Sequence, residues 1–248
     1  MAIRGFGRTS ASVVHTDMTG RLQRTVFGLF LFGISFGYIE AAVVIYLRAL
    51  YEPLRQRLTP GRAPGDLFPL VDRGRMVAEA PETARLLNVE VIREAATIVM
   101  LAAAAMLVAG ERSLWLPAFS IAFGVWDVSF YLFLKLWIHW PASLLTWDLL
   151  FLLPVPWVAP VLAPVIVSMT IAGCGLTALW RPVVIRSRHW IGMILGGAIV
   201  ILSFTWHFRY LLAGNPPRAF AWWLFLTGEL LSLGTFLLAV FRRNPAAH

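Results

Sequence analysis

The chain has 248 residues, 59% of them hydrophobic and 14% charged, and its mean hydropathy is +0.74. A typical globular protein is about one-quarter charged, so this composition excludes a disordered chain, a secreted disulfide scaffold and an ordinary cytosolic enzyme. It leaves a multi-pass membrane protein, an all-α bundle of transmembrane helices whose first partner is the lipid bilayer.

The net charge of +8 rests on 21 basic residues, of which one, Lys135, is lysine. They fall mostly between apolar blocks and form no basic stripe with interleaved aromatics, so they read as topology signals and not as a nucleic-acid surface. The single cysteine, Cys174, can make neither an internal disulfide nor a cysteine-based zinc site.

Residues 1–24 are polar and read as a tail. The apolar run that follows exceeds the ~7–15 residues of a signal-peptide core, so it reads as an uncleaved first span. A helix needs about 20 apolar residues to cross a bilayer. Six blocks qualify, at about 25–47, 89–109, 115–136, 157–180, 190–211 and 219–241, within a single transmembrane domain over 25–241. The loop at 48–88 mixes arginines with acids and is broken at Pro60-Gly61 and Pro64-Gly65. It reads as two short amphipathic pieces on the outer surface, and Pro81-Glu82 resembles a helix start. Between spans 3 and 4, Trp137–Pro156 is almost uncharged. Its uninterrupted part, 142–153, is short for a span and suits a re-entrant or interfacial helix.

Counting arginines sets the orientation. With six spans and both termini cytoplasmic, Arg4, Arg8, Arg21, Arg24, Arg112, Arg181, Arg186, Arg188, Arg242 and Arg243 lie inside, the last two in a tail over 242–248. The short outer loops then hold Lys135, Arg209 and Arg218. The Arg-for-Lys bias suits a bacterial protein, which would place the chain in the inner membrane.

Charges inside the hydrocarbon are costly and are therefore candidate site residues. Span 1 carries Glu40 on a face with Gly33, Gly37 and Arg48, and the two glycines form a small-xxx-small pair for close helix packing. Span 3 carries Asp127 with Tyr131 one turn later. Phe36-Gly37-x-x-Glu40 and Phe123-Gly124-x-x-Asp127 share a pattern, each with a base eight residues on, as a parallel internal repeat would. Span 2 opens with Glu90, Arg93 and Glu94, where two acids on one face need a cation or a proton between them. Span 5 ends at His207 and Arg209, and span 6 carries Glu229. The connection between spans 3 and 4 supplies His139, Trp147 and Asp148. Pro156, Pro160 and Pro164 recur every four residues at the start of span 4 and free backbone carbonyls there. In the chosen orientation most of these groups fall in the outer half, which predicts one outward-facing polar and aromatic cavity.

The stretches Phe36-Gly37-Tyr38-Ile39-Glu40-Ala41-Ala42, Phe123-Gly124-Val125-Trp126-Asp127 and Trp140-Pro141-Ala142-Ser143-Leu144-Leu145-Thr146-Trp147-Asp148 resemble an uncharacterised family of bacterial six-helix inner-membrane proteins. The resemblance implies that class and no activity. Walker A, HExxH and GxSxG signatures are missing from the sequence.

Three functions fit. The first is an enzyme or binding protein for a lipid-like molecule. Asp127, Glu40, His207 and Tyr131 would then serve as acids or bases, and Arg48, Arg93 and Arg209 would hold an anionic headgroup. Asp148, Trp126 and Trp147 would line the cavity. Glu90, Glu94 and His139 would hold a divalent metal: carboxylates favour Mg²⁺, Mn²⁺ or Ca²⁺, and a histidine admits Zn²⁺ or Fe²⁺. The second is a transporter or ion-coupled carrier. The third is a structural subunit, in a homo-oligomer or a larger membrane complex, whose glycine faces and ion pairs specify packing.

Overall fold

The computed structural model describes residues 8–58, 78, 81–109, 112–181, 183–213, 215 and 219–241. Helix α1 (Arg8–Leu58) is followed by α2 (Pro81–Ala109) and α3 (Arg112–Ile138). Strands β1 (Trp147–Phe151) and β2 (Trp157–Pro160) come next, and then α4 (Leu162–Trp180), α5 (Ser187–Thr205), the short α6 (Phe208–Leu212) and α7 (Trp222–Phe241). Six segments are long and apolar enough to cross a membrane: Gly20–Leu54, Asn88–Ala109, Ser113–Ile138, Leu162–Trp180, Ser187–Leu211 and Trp222–Phe241. Their outer surfaces keep large apolar side chains in contact with the surroundings, Leu107 at 87% exposure and Phe27 at 70% among them. Such a surface needs lipid as its solvent.

Helix α1, at 51 residues, is roughly 75 Å long at 1.5 Å per residue and outreaches the ~30 Å hydrocarbon. The polar residues from 8 onward and those at 48–58 therefore continue the first helix, and residues 81–88 continue the second. The remainder of the expected loop, 59–77 and 79–80, and the terminal segments 1–7 and 242–248 lie outside the described residues.

Close packing fixes the arrangement. A Cβ on Gly33 would meet Val125 and the Ala122 carbonyl, and one on Gly37 would meet the Trp126 carbonyl and Ser129. Helices α1 and α3 therefore run parallel and in contact, with the two glycines as the touching face. Gly124 abuts Ser168 and Ala172, and Gly175 abuts Pro117 and Ile121, so α4 runs antiparallel to α3. Gly192, Gly196 and Gly228 give α5 and α7 a second antiparallel contact. The bundle is thus a quartet centred on α3, joined to an α5–α7 pair.

The segment between spans 3 and 4 corrects the expectation of a short helix. It is an antiparallel hairpin that pairs Trp147 with Pro160, Asp148 with Ala159 and Leu149 with Val158. Pro154 and Pro156 fall in its turn, where a proline can sit and a helix cannot continue. Span 4 accordingly starts at Leu162 and not near 157. Of the three spaced prolines only Pro164 is helical, in the first turn, where its missing N–H costs nothing. Span 5 also breaks, because α5 ends at Thr205 and a turn at Trp206-His207 precedes α6.

Candidate functional site

The three-helix wall of α1, α2 and α3 carries a polar cluster. Arg93 grips Glu90 with two parallel bonds, Nε donating to Oε2 at 2.8 Å and Nη2 to Oε1. This is the planar fork for which guanidinium is suited. Its Nη1 reaches Glu40 Oε1 at 2.6 Å across the helix gap and Thr97 Oγ1 at 3.3 Å. Glu40 is buried, so Arg93 neutralises an acid that the hydrocarbon would otherwise reject. Glu94, one turn on from Glu90, turns the other way and accepts the Leu152 N–H at 2.8 Å from the hairpin turn. The two acids on one face are thus separated by giving each its own donor.

Deeper along α3, buried Asp127 accepts the Ser168 hydroxyl at 2.8 Å. One turn away, Tyr131 donates to Asp148 Oδ2 at 2.9 Å, joining α3 to β1. Burial pushes the Asp148 carboxyl up to about 6, against the Tyr131 bond and the Arg48 charge, which both lower it. The Arg48 guanidinium lies 4.0 Å over the Trp140 ring, a cation–π contact. Trp126 packs against Phe36 and Phe123, and its buried indole N–H, like that of Trp157, has no acceptor among the described residues. Trp147 stands edge-on to Phe220 at 6.0 Å.

These groups border one cavity of about 830 Å³. Glu40, Arg48, Glu90, Arg93 and Glu94 line it near the hairpin end. Asp127, Tyr131 and Asp148 line it further in, together with Trp126 and Trp147. The lining continues to Ser113, Val183 and Trp190 at the opposite end of the bundle. Glu229 lies on the α7 wall, across from the cluster.

Several sequence expectations do not reach the cavity. His207 sits in the turn after α5 with Nε2 3.4 Å from the Ala219 carbonyl. Arg209 folds over the Phe208 ring. His139 is exposed, with a positive φ of 54°, and Lys135 binds the carbonyls of His139 and Pro141. The expected metal set of Glu90, Glu94 and His139 is therefore not assembled, because Arg93 occupies Glu90, the hairpin occupies Glu94 and His139 points away. Among the described residues no three His, Cys, Asp or Glu side chains form a metal-holding group. Conversely, nothing in the residue pattern marks Ser168, Thr97 and the Leu152 N–H as the partners of the buried acids. Small hydroxyls and backbone amides carry no distinctive spacing.

No known protein family matches the chain, and neither a curated protein nor a solved structure is significantly similar to it. The six apolar helices, and not kinship, define it as a multi-pass membrane protein of helical-bundle class.

Proposed function

We propose that the protein binds a lipid-like amphiphile inside its bundle. Its polar part would rest against the Glu40–Arg93–Glu90 and Tyr131–Asp148 pairs, and its apolar part would lie along the aromatic slot of Trp126, Phe123 and Phe204. The observation that carries this reading is the composition of the long cavity, which brings a few ionic side chains and a wide aromatic and aliphatic wall into one space. Ligand sites are mostly apolar with a few convergent polar groups, and here the lining extends along the helices, as a membrane amphiphile lies. Arg48 and the indole N–H groups of Trp126 and Trp157, which have no acceptor among the described residues, supply donors for an acceptor-bearing headgroup. On the arginine distribution, the hairpin end faces the outside of the cell and both termini face the cytoplasm.

Gly197 gives the test. It lines the cavity, and a Cβ there meets nothing within 4 Å, so Gly197→Phe fills the slot without pressing on a helix. Native mass spectrometry of gently extracted wild-type protein is expected to show a bound molecule of lipid size, and Gly197→Phe is expected to lose it. A bare wild-type chain, or equal retention by the variant, refutes the reading.

A carrier is the second reading, because the cavity lining reaches Ser113 and Trp190 at the far end of the helices. Exchange of the ligand between both faces of a vesicle separates it from simple binding.

A further inference from the structure

Glu229 is the polar group that the cluster leaves unexplained. It is only 7% exposed, it lies within the last span, and its Oε1 has no hydrogen-bond partner among the described residues. The hydroxyls nearest in sequence are committed elsewhere. Thr227 donates to Trp223 O, Ser232 to Met193 O and Thr235 to Leu231 O. The titratable group facing it from the neighbouring helix is the Cys174 thiol of α4, which offers no charge. The cavity's arginines, Arg48 and Arg93, are engaged on the other side by Trp140 and by the acids of α1 and α2.

A buried carboxylate in lipid needs a positive partner or a proton. Three features say which partner fits. The cavity carries seven carboxyl side chains against two guanidiniums, so it suits a cation better than an anion. A metal ion would need several further donors around Glu229, and among the described residues no group of three such side chains exists. The wall is instead aromatic and aliphatic, with Phe204, Phe236, Trp157 and Val200 bordering the same space. Aromatic faces attract cations of low charge density, with quaternary ammonium the best-attested case.

From these observations we propose that Glu229 anchors the charged centre of a lipophilic organic cation, such as an ammonium or phosphonium, with its apolar substituents against the aromatic wall. The inference rests on the cavity being a ligand site, and it adds to the polar contacts at the hairpin end a second one, at Glu229, that takes the molecule's cationic centre.

The test uses full-length protein in nanodiscs of zwitterionic lipid. Tetraphenylphosphonium is the probe, and tetraphenylborate is a control of the same shape and opposite charge. Tetraphenylphosphonium is expected to bind, to quench cavity tryptophan fluorescence and to protect Cys174 from maleimide, while the borate does none of these. Glu229→Gln should weaken binding about tenfold or more, and Glu229→Asp should restore most of it. Equal binding of cation and anion, or a Gln variant as tight as wild type, overturns the proposal. Should the Gln variant fail to fold, Cys174 protection in the unaltered chain, by the cation and not the anion, still decides it. A co-purified amphiphile lost in Gly197→Phe without any cation preference would leave the cavity reading standing and remove this one.

Discussion

The contact between α5 and α7 allows a prediction whose size follows from the coordinates. A Cβ on Gly196 would stand 2.6 Å from the Gly228 carbonyl oxygen and 2.7 Å from the Ser232 amide, and one on Gly228 would stand 2.6 Å from the Gly196 oxygen. Ordinary contact begins near 3.5 Å, so either alanine must push the helices apart by roughly 1 Å. Backbone cannot rotate away as a side chain would. Overpacking of this kind costs about 1–3 kcal/mol, and the helix preference for alanine over glycine returns about 0.5–1 kcal/mol. Gly196→Ala and Gly228→Ala should therefore each lose about 1–2 kcal/mol. Gly197, the very next residue, has nothing within 4 Å of an added Cβ, so Gly197→Ala should be neutral or gain up to about 1 kcal/mol. Adjacent substitutions of the same kind are thus expected to differ by about 1–3 kcal/mol. The double variant Gly196→Ala/Gly228→Ala should lose less than the sum, because one separation of the helices accommodates both methyls. Unfolding in mixed micelles, followed by tryptophan fluorescence at increasing SDS fraction, measures all four. Equal midpoints for Gly196→Ala and Gly197→Ala would refute the close-contact reasoning.

Arg93→Met should destabilise the chain by about 3–5 kcal/mol by leaving Glu40 and Glu90 without their cation, and adding Glu40→Gln should recover part of that loss in the same SDS assay. Asp148 predicts a pH effect. Its folded-state carboxyl titrates near 6 and its ordinary value is 3.8, so the folded form holds the proton more tightly. That stabilisation is complete below about pH 4 and is lost as pH rises through about 6, on the order of 1 kcal/mol after solvent screening. The difference in midpoint between wild type and Asp148→Asn should show this drift, and a flat difference between pH 4 and 7 would contradict it. Tyr131→Phe removes the donor to Asp148 and should cost about 1 kcal/mol, with no further loss when combined with Asp148→Asn. Cysteines placed at Ser113 and at Leu149 in a Cys174→Ala background should label from opposite sides of the membrane, and labelling of both from one side would contradict the span arrangement.

The spans were legible because crossing a bilayer is a local demand: about 20 apolar residues in a row suffice, whatever they pack against. The hairpin was not. An apolar run such as Leu144–Leu153 fits a buried strand as well as a short helix by composition. What decides is the return of Trp157–Pro160 to pair with it, a contact that no local pattern announces. The site was half legible. Costly charges pointed to Glu40, Arg93, Asp127 and Asp148, but their partners are non-local, as when Glu94 takes a backbone amide 58 residues away. His207 and Arg209 read as members of the cluster because they close the fifth span in the outer half, and the turn at Trp206-His207 ends that helix first. The opposite wall, where Glu229 sits, depends on how α7 leans on α5, and the non-local part of that contact is the meeting of Gly196 with Gly228, 32 residues on.

The hairpin is held at four places. Leu152 binds Glu94 of α2, and Asp148 binds Tyr131 of α3. The amides of Val161 and Leu162 at the head of α4 bond back to Thr146 and Leu144. Lifting it would strand donors and acceptors on three helices at once, so it behaves as a fixed plug and not as a lid. A molecule bound beneath it would then enter by another way, and for an amphiphile the bilayer itself is the nearest source. Its occupancy would follow its mole fraction in the lipid, so that diluting the protein with more bilayer at constant total ligand would empty the site even though the aqueous concentration hardly changed.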